Sequence, residues 1–210
     1  MRIHSLPVRW VFILSAVTVL ASCVSASPRH TAHKPIKVNA AYQVKTAATG
    51  PALHVCPGHV SNAPATDAKR KIVNYDPVAE VSGVALTRAP VKSCVSSGYG
   101  PRRGGASSFH SGVDLFTRTP APIYASGDGI IENIGTRRSY GRTILIRHRD
   151  SVKTRYAHLS SYAPGLKSGS RVRGGELIGY TGDTGNATAV HLHYEVLVHG
   201  KRRDPLSIGG

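Results

Sequence analysis

The sequence predicts a mostly β protein: one compact antiparallel β-sheet domain behind a flexible N-terminal leader and tether. From Val95 onward, short apolar and β-branched runs alternate with turn residues, which is the signature of strands. No stretch keeps a helical period for long. Hydrophobic residues make up 40% of the 210, enough for one core, and 22 Gly with 13 Pro supply many turns.

Residues 1–22 read as a secretory leader. Arg2, His4 and Arg9 precede an apolar run from Val11 to Ala21 of about the length of a signal core. That run is too short to span a bilayer comfortably, which takes ~20 residues. Two cleavage sites compete. Leu20-Ala21-Ser22-Cys23 resembles a bacterial lipobox, cut before Cys23 with lipid attached there, and Val24-Ser25-Ala26 is a plain small-x-small site. The lipobox reading is preferred because the cysteine directly follows the apolar core.

Residues 23–64 are rich in Ala, Thr, Pro, Lys and His without periodicity, as in a flexible tether ordered at most near Val55-Cys56-Pro57. Its histidines, His30, His33, His54 and His59, are too scattered to be ligands. Residues 65–97 hold short apolar pieces, Ile72-Val73 and Val81 to Leu86, and read as an ordered appendage of one or two strands or a brief helix. Removing Cys23 by lipidation or cleavage leaves Cys56 and Cys94. Export to an oxidising compartment favours a disulfide between them, and two unpaired thiols are the alternative.

Lys and Arg number 27 against 11 Asp and Glu, a formal charge of +16 that implies an anionic partner. Aromatics are only 6% and no nucleic-acid motif is present, so nucleic acid is excluded in favour of a polyanionic envelope surface.

The strand candidates are 113–116, 123–125, 129–134, 143–147, 153–157, 171–172, 177–180 and 192–198. In the last, residues two apart share a face, so His191 and His193 project together while Leu192, Tyr194 and Val196 face a core. His110 and Asp114 flank Gly112, which disfavours a helix, and their even spacing in an extended segment aims both one way. Imidazole and carboxylate are the usual ligands of zinc, and a catalytic site keeps three protein ligands. A carboxylate beside Val113, Leu115 and Phe116 is costly to bury without a cation; zinc provides one, and Arg102 or Arg103 provides another. Glu195 either orients a ligand from behind or pairs with an arginine. His148 reads as structural and His199 as solvated.

His110-x-x-x-Asp114, Tyr156-x-His158-Leu159 and His191-x-His193, in that order, resemble the lysostaphin/LytM-type zinc endopeptidases that cut peptidoglycan peptides. The likeness runs from Gly98 to about Pro205. It includes Gly100-Pro101-Arg102, the segment from Ile123 to Gly129, the strand from Gly141 to His148, and the turn and strand from Ser168 to Gly179. Ala187-Thr188-Ala189-Val190 departs from the family's Ser-Thr-Gly-Pro, and Tyr194 replaces its more usual Phe.

The resemblance implies a LytM-like metallopeptidase domain over residues 98–207, with one Zn²⁺ held by His110, Asp114 and His193. It makes His158 and His191 the catalytic histidines, serving the water and the oxyanion, with His191 assigned provisionally as base. The expected activity is that of an exported zinc metalloendopeptidase acting on peptidoglycan stem peptides or cross-bridges. Expected partners are peptidoglycan, anionic envelope polymers and the membrane through a lipid at Cys23. The expected location is the cell envelope, as a periplasm-facing lipoprotein or otherwise secreted or periplasmic. Two other readings stay open: a non-catalytic LytM-like regulator or amidase activator that binds the wall, and an anion-binding envelope module, which leaves the histidines idle.

Overall fold

The computed structural model describes residues 52–102, 108–149 and 151–209. The leader, Cys23, most of the tether and Arg103 lie outside the described residues. Every described regular element is a strand. The first four are β1 (Val78–Val81), β2 (Val84–Thr87), β3 (Cys94–Ser97) and β4 (Gly100–Pro101). β5 (Phe109–His110), β6 (Val113–Phe116), β7 (Pro122–Tyr124) and β8 (Gly129–Arg137) follow. β9 (Gly141–Arg149), β10 (Val152–Tyr162) and β11 (Arg171–Val172) come next, then β12 (Leu177–Thr181), β13 (His191–Val198) and β14 (Lys201–Arg203).

The ten-stranded main sheet runs β11-β8-β9-β10-β13-β6-β3, with β12 on β10, β7 on β12 and β14 on β13. Every named pairing in it is antiparallel. Two-residue turns make two of the hairpins. Ser82-Gly83 joins β1 to β2 and His199-Gly200 joins β13 to β14, all four residues at positive φ, as tight type I′ connections require.

One face of the sheet is a dry core of Ile144, Ile146, Tyr156, Leu159, Leu192, Tyr194 and Leu115, each essentially inaccessible. Period-two alternation explains these positions, with one exception on β10. Tyr156 and Leu159 both face the core although three residues separate them. The pairing with β9 shifts register between them, and His158 takes a left-handed φ of 62° that absorbs the odd residue.

The two core tyrosines do not leave their hydroxyls stranded. Ser126 Oγ meets Tyr156 Oη at 2.6 Å and donates to Tyr194 Oη at 2.7 Å, and Tyr194 Oη donates to the Thr87 carbonyl at 3.2 Å. A phenylalanine at 194 would need no such partner. His148 is structural here, joining the Asp128 carbonyl at 2.8 Å to Thr154 Oγ1 at 2.7 Å.

Ahead of β1, Leu53, Val55 and Cys56 are buried, and the chain runs parallel to β3 through bridges Val55↔Val95 and Ser61↔Ser97. Cys56 and Cys94 form a disulfide that staples this strap to the sheet. β3 pairs with β6, and Leu86, Ala89 and Val91 share the common core with the strands that follow. A short β-sheet has an edge and a face to cover, and the preceding residues cover both. Residues 65–97 contribute strands and no helix.

Candidate metal centre

The central strand β13 carries the site. Register places His193 opposite Asp114 of β6 on one side and Ala157 of β10 on the other. Cross-strand partners share a face, so His193 and Asp114 meet on the face away from the core. His110 reaches the same point from β5. The Ser111-Gly112 link lies hard against β13, where a Cβ on Gly112 would stand 2.2 Å from the Tyr194 carbonyl oxygen. Only glycine permits that approach.

His110 Nε2, His193 Nδ1 and Asp114 Oδ1 form a small triangle. Its sides are 3.1 Å between the nitrogens, 3.0 Å from His110 to Asp114 and 2.9 Å from His193 to Asp114. Their outer partners settle what these atoms carry. His110 Nδ1 donates to the Gly98 carbonyl at 2.6 Å, and His193 Nε2 donates to Glu195 Oε1 at 3.3 Å. Since carbonyl and carboxylate only accept, the inward nitrogens of the neutral rings hold lone pairs. Asp114 Oδ2 is taken by Arg102 Nη2 at 3.1 Å, leaving Oδ1 for the triangle. Arg102 and a metal are therefore compatible on one carboxylate.

Three acceptors facing each other, two on buried histidines and one on a partly buried carboxylate, repel unless a cation sits among them. Zinc fits on this chemistry: the sides approach the ~3.3 Å edge of a tetrahedron with 2.0–2.1 Å bonds, and the donors are two imidazoles and a carboxylate. These are also the group among the described residues whose ligand atoms lie within 4.8 Å of one another. In the metal-free protein a proton takes that place. Burial lowers the His193 pKa, but hydrogen bonds and charge from Asp114 and Glu195 outweigh it and raise it to about 9. Burial likewise works to raise Asp114, and His110 and His193 overcome it, holding the carboxyl well below its ordinary value.

His158 and His191 line the same space, their ring centroids 4.8 Å apart, and His158 lies 5.9 Å from His193. His158 Nδ1 donates to the Thr184 carbonyl at 2.8 Å and His191 Nδ1 to the Ala189 carbonyl at 2.7 Å. Each Nε2 is thus left with a lone pair, and that of His191 lies 3.7 Å from Asp114 Oδ1. Burial, with the charges of His191 and His193, outweighs the Thr184 hydrogen bond and lowers the His158 pKa to about 4. The ring is neutral at physiological pH.

The structure brings all five expected site residues together. Tyr140, in the β8–β9 turn, is a further one that the linear sequence does not flag. Its carbonyl accepts the His158 backbone N–H at 2.8 Å, its ring lies 5.7 Å from that of His193, and its hydroxyl donates to Glu195 Oε1 at 2.8 Å. The aromatic-glycine pair Tyr140-Gly141 was the available signal: a Cβ on Gly141 would stand 2.3 Å from Thr184 Oγ1, so glycine lets this turn meet the loop that holds His158.

Residues 108–205 match Peptidase family M23. Peptidoglycan DD-endopeptidase ShyC of Vibrio cholerae is 36% identical over 139 residues, covering 64% of this chain and 32% of that protein. The catalytic domain of lysostaphin from Staphylococcus simulans is 33% identical with a TM-score of 0.50, covering 54% of this chain and 89% of that one. A zinc containing peptidase from Vibrio cholerae is 29% identical with a TM-score of 0.52, covering 63% and 39%. The chain spans less than a third of the length of the curated relatives it matches.

Proposed function

Residues 108–205 match Peptidase family M23, and from that premise we propose that the chain is an exported zinc metalloendopeptidase hydrolysing peptide bonds in peptidoglycan stem peptides or cross-bridges. The observation that carries the reading is the convergence of His110 Nε2, His193 Nδ1 and Asp114 Oδ1, three lone-pair donors 2.9–3.1 Å apart with their outer hydrogen bonds already assigned. The name of a relative, peptidoglycan DD-endopeptidase, supports the substrate class.

His110, Asp114 and His193 hold the ion in this proposal. When bound, zinc supplies Lewis-acid chemistry, polarising a carbonyl and lowering the pKa of water. His191 Nε2 then accepts a proton from the attacking water, its ring oriented by the Ala189 carbonyl. Once protonated, that nitrogen is a donor toward the charge developing on the scissile carbonyl oxygen, or toward the leaving amine. His158, neutral and held through Thr184, keeps an acceptor Nε2 in the same space to orient the water. Arg102 neutralises the outer oxygen of Asp114 and fixes which oxygen faces inward.

The formal charge of +16 supports attraction to anionic envelope polymers, an attraction that salt weakens. Export and a lipid at Cys23 rest on the leader sequence, and Cys23→Ala tests the anchor through loss of membrane fractionation. A wall-binding regulator would have no use for a complete donor set, so the hydrolase reading is preferred. The decisive experiment measures zinc in the purified protein and release of soluble muropeptides from purified sacculi. One zinc per chain and release abolished in His191→Ala are expected. Full zinc with no release would overturn the enzyme in favour of the regulator.

A further inference from the structure

Glu195 has the least exposed carboxylate described in the protein, with no accessible side-chain surface, and it sits two residues beyond His193 on the same face of β13. Its oxygen Oε1 accepts from four directions. Ser111 Oγ donates at 2.5 Å, Tyr140 Oη at 2.8 Å, Arg202 Nε at 3.1 Å and His193 Nε2 at 3.3 Å. Oε2 faces Arg155 Nη1 at 3.2 Å.

These donors come from separate parts of the fold. Ser111 lies between His110 and Asp114, so its hydrogen bond fixes the stretch bearing both. His193 is bound directly. Tyr140 carries the carbonyl that holds the His158 backbone. We propose that Glu195 is a positioning residue: a single ionised carboxylate that sets the geometry and donor strength of the metal centre from behind. The inference rests on reading His193 as a metal ligand.

The alternative is a carboxylate that merely neutralises arginine. One guanidinium would serve that purpose, and Arg155 alone would suffice. Instead two arginines from different strands secure one carboxylate, Arg155 at Oε2 and Arg202 at Oε1, which keeps it ionised in a buried place, while Oε1 also accepts from a ligand ring. The two ligand histidines also differ. His110 is backed by the neutral Gly98 carbonyl, whereas His193 is backed by a full negative charge. An anionic acceptor behind an imidazole fixes its tautomer and makes it a stronger donor to a metal.

The test uses the full chain and its Glu195→Gln, Tyr140→Phe and Ser111→Ala variants. Zinc affinity is read by competition with a chromophoric chelator, the ligand field by the visible spectrum of the cobalt-loaded protein, and folding by circular dichroism. Glu195→Gln is expected to weaken zinc binding about 10–100-fold and to shift the cobalt bands. Tyr140→Phe and Ser111→Ala leave no buried charge unpaired, so they keep the test decisive if the Gln variant does not fold. Each is expected to weaken binding several-fold with an unchanged circular dichroism spectrum. Wild-type affinity and spectrum in every folded variant would overturn the role of Glu195 while leaving the metal centre intact. A wild-type chain that binds no zinc would overturn both.

Discussion

His193 stands opposite Asp114 in the ladder between β13 and β6, and their inward atoms meet at 2.9 Å. The ladder makes this contact obligatory. A slip of one residue would turn His193 to the core and bring Leu192 to the site. Because β13 is paired on both sides and its other face buries Leu192, Tyr194 and Val196, such a slip would expose the core. Packing energy therefore enforces the geometry of the centre.

Replacing Asp114 with Asn keeps its size and removes the charge that the two histidines and Arg102 share. Bound zinc is expected to fall from one per chain to a small fraction, and muropeptide release by ~100-fold or more, since a three-ligand site loses its only anionic donor. Metal analysis of the purified variant alongside the sacculus assay checks both.

Zinc must displace the proton that His193 carries in the metal-free protein. With a pKa of about 9, that ring is charged at neutral pH. Apparent zinc affinity should therefore rise by about tenfold per pH unit and level off near pH 9. The metal-free fold behaves oppositely. Protonated His193 contributes stability that is complete below the ordinary histidine value near 6.5 and is lost as pH rises through about 9. Thermal melts with and without zinc across pH 6–9.5 should diverge.

His158 occupies left-handed backbone space, which asparagine tolerates and β-branched residues do not. His158→Asn is expected to keep the fold and the zinc while losing ~100-fold or more in activity, the scale of a lost acid–base or water-orienting group. His158→Val should in addition lower stability by ~1–2 kcal/mol from backbone strain. Denaturant melts of the two variants separate the contributions.

Gly112→Ala would drive a methyl to 2.2 Å from the Tyr194 carbonyl. The Ser111-Gly112 link must then lift away from β13, carrying His110 and Asp114 with it. A loss of ~1–3 kcal/mol is expected from overpacking, together with weaker zinc binding, both measurable on the same sample.

Removing the disulfide by paired Cys56→Ser and Cys94→Ser changes is expected to cost ~3–4 kcal/mol in the chain-entropy account. The site should feel it too. Ser61 of the strap accepts the Gly98 N–H at 2.8 Å, and the Gly98 carbonyl in turn accepts from His110 at 2.6 Å. A several-fold drop in zinc affinity should therefore accompany the lower melting temperature.

Much of this molecule is readable in one dimension. The alternation Leu192, Tyr194, Val196 against His191, His193, Glu195 assigns β13 and both its faces, because strand geometry depends only on local sequence. The bulge at His158 is not readable that way. Simple alternation would send His158 to the side of Tyr156, into the core, and only the packing of both Tyr156 and Leu159 against neighbouring strands forces the left-handed turn that brings it out. The strap is readable only in part: the sequence points to order near Val55-Cys56-Pro57 and to the Cys56–Cys94 pair, and not to the pairing with β3. Leu53 and Val55 belong to a short apolar stretch, and their burial is decided only beside the edge strand they cover.

Residue identities and order thus determined the strands, the likeness to Peptidase family M23 and the set of five candidate site residues. Tertiary structure decided which atoms face inward: Asp114 Oδ1 because Arg102 takes Oδ2, His193 Nδ1 because Glu195 takes Nε2, and His158 at all because a bulge turns it. The division has a physical cause. Secondary structure and side-chain chemistry are local properties of the chain, whereas hydrogen-bond partnership in a buried site depends on groups from strands far apart in sequence.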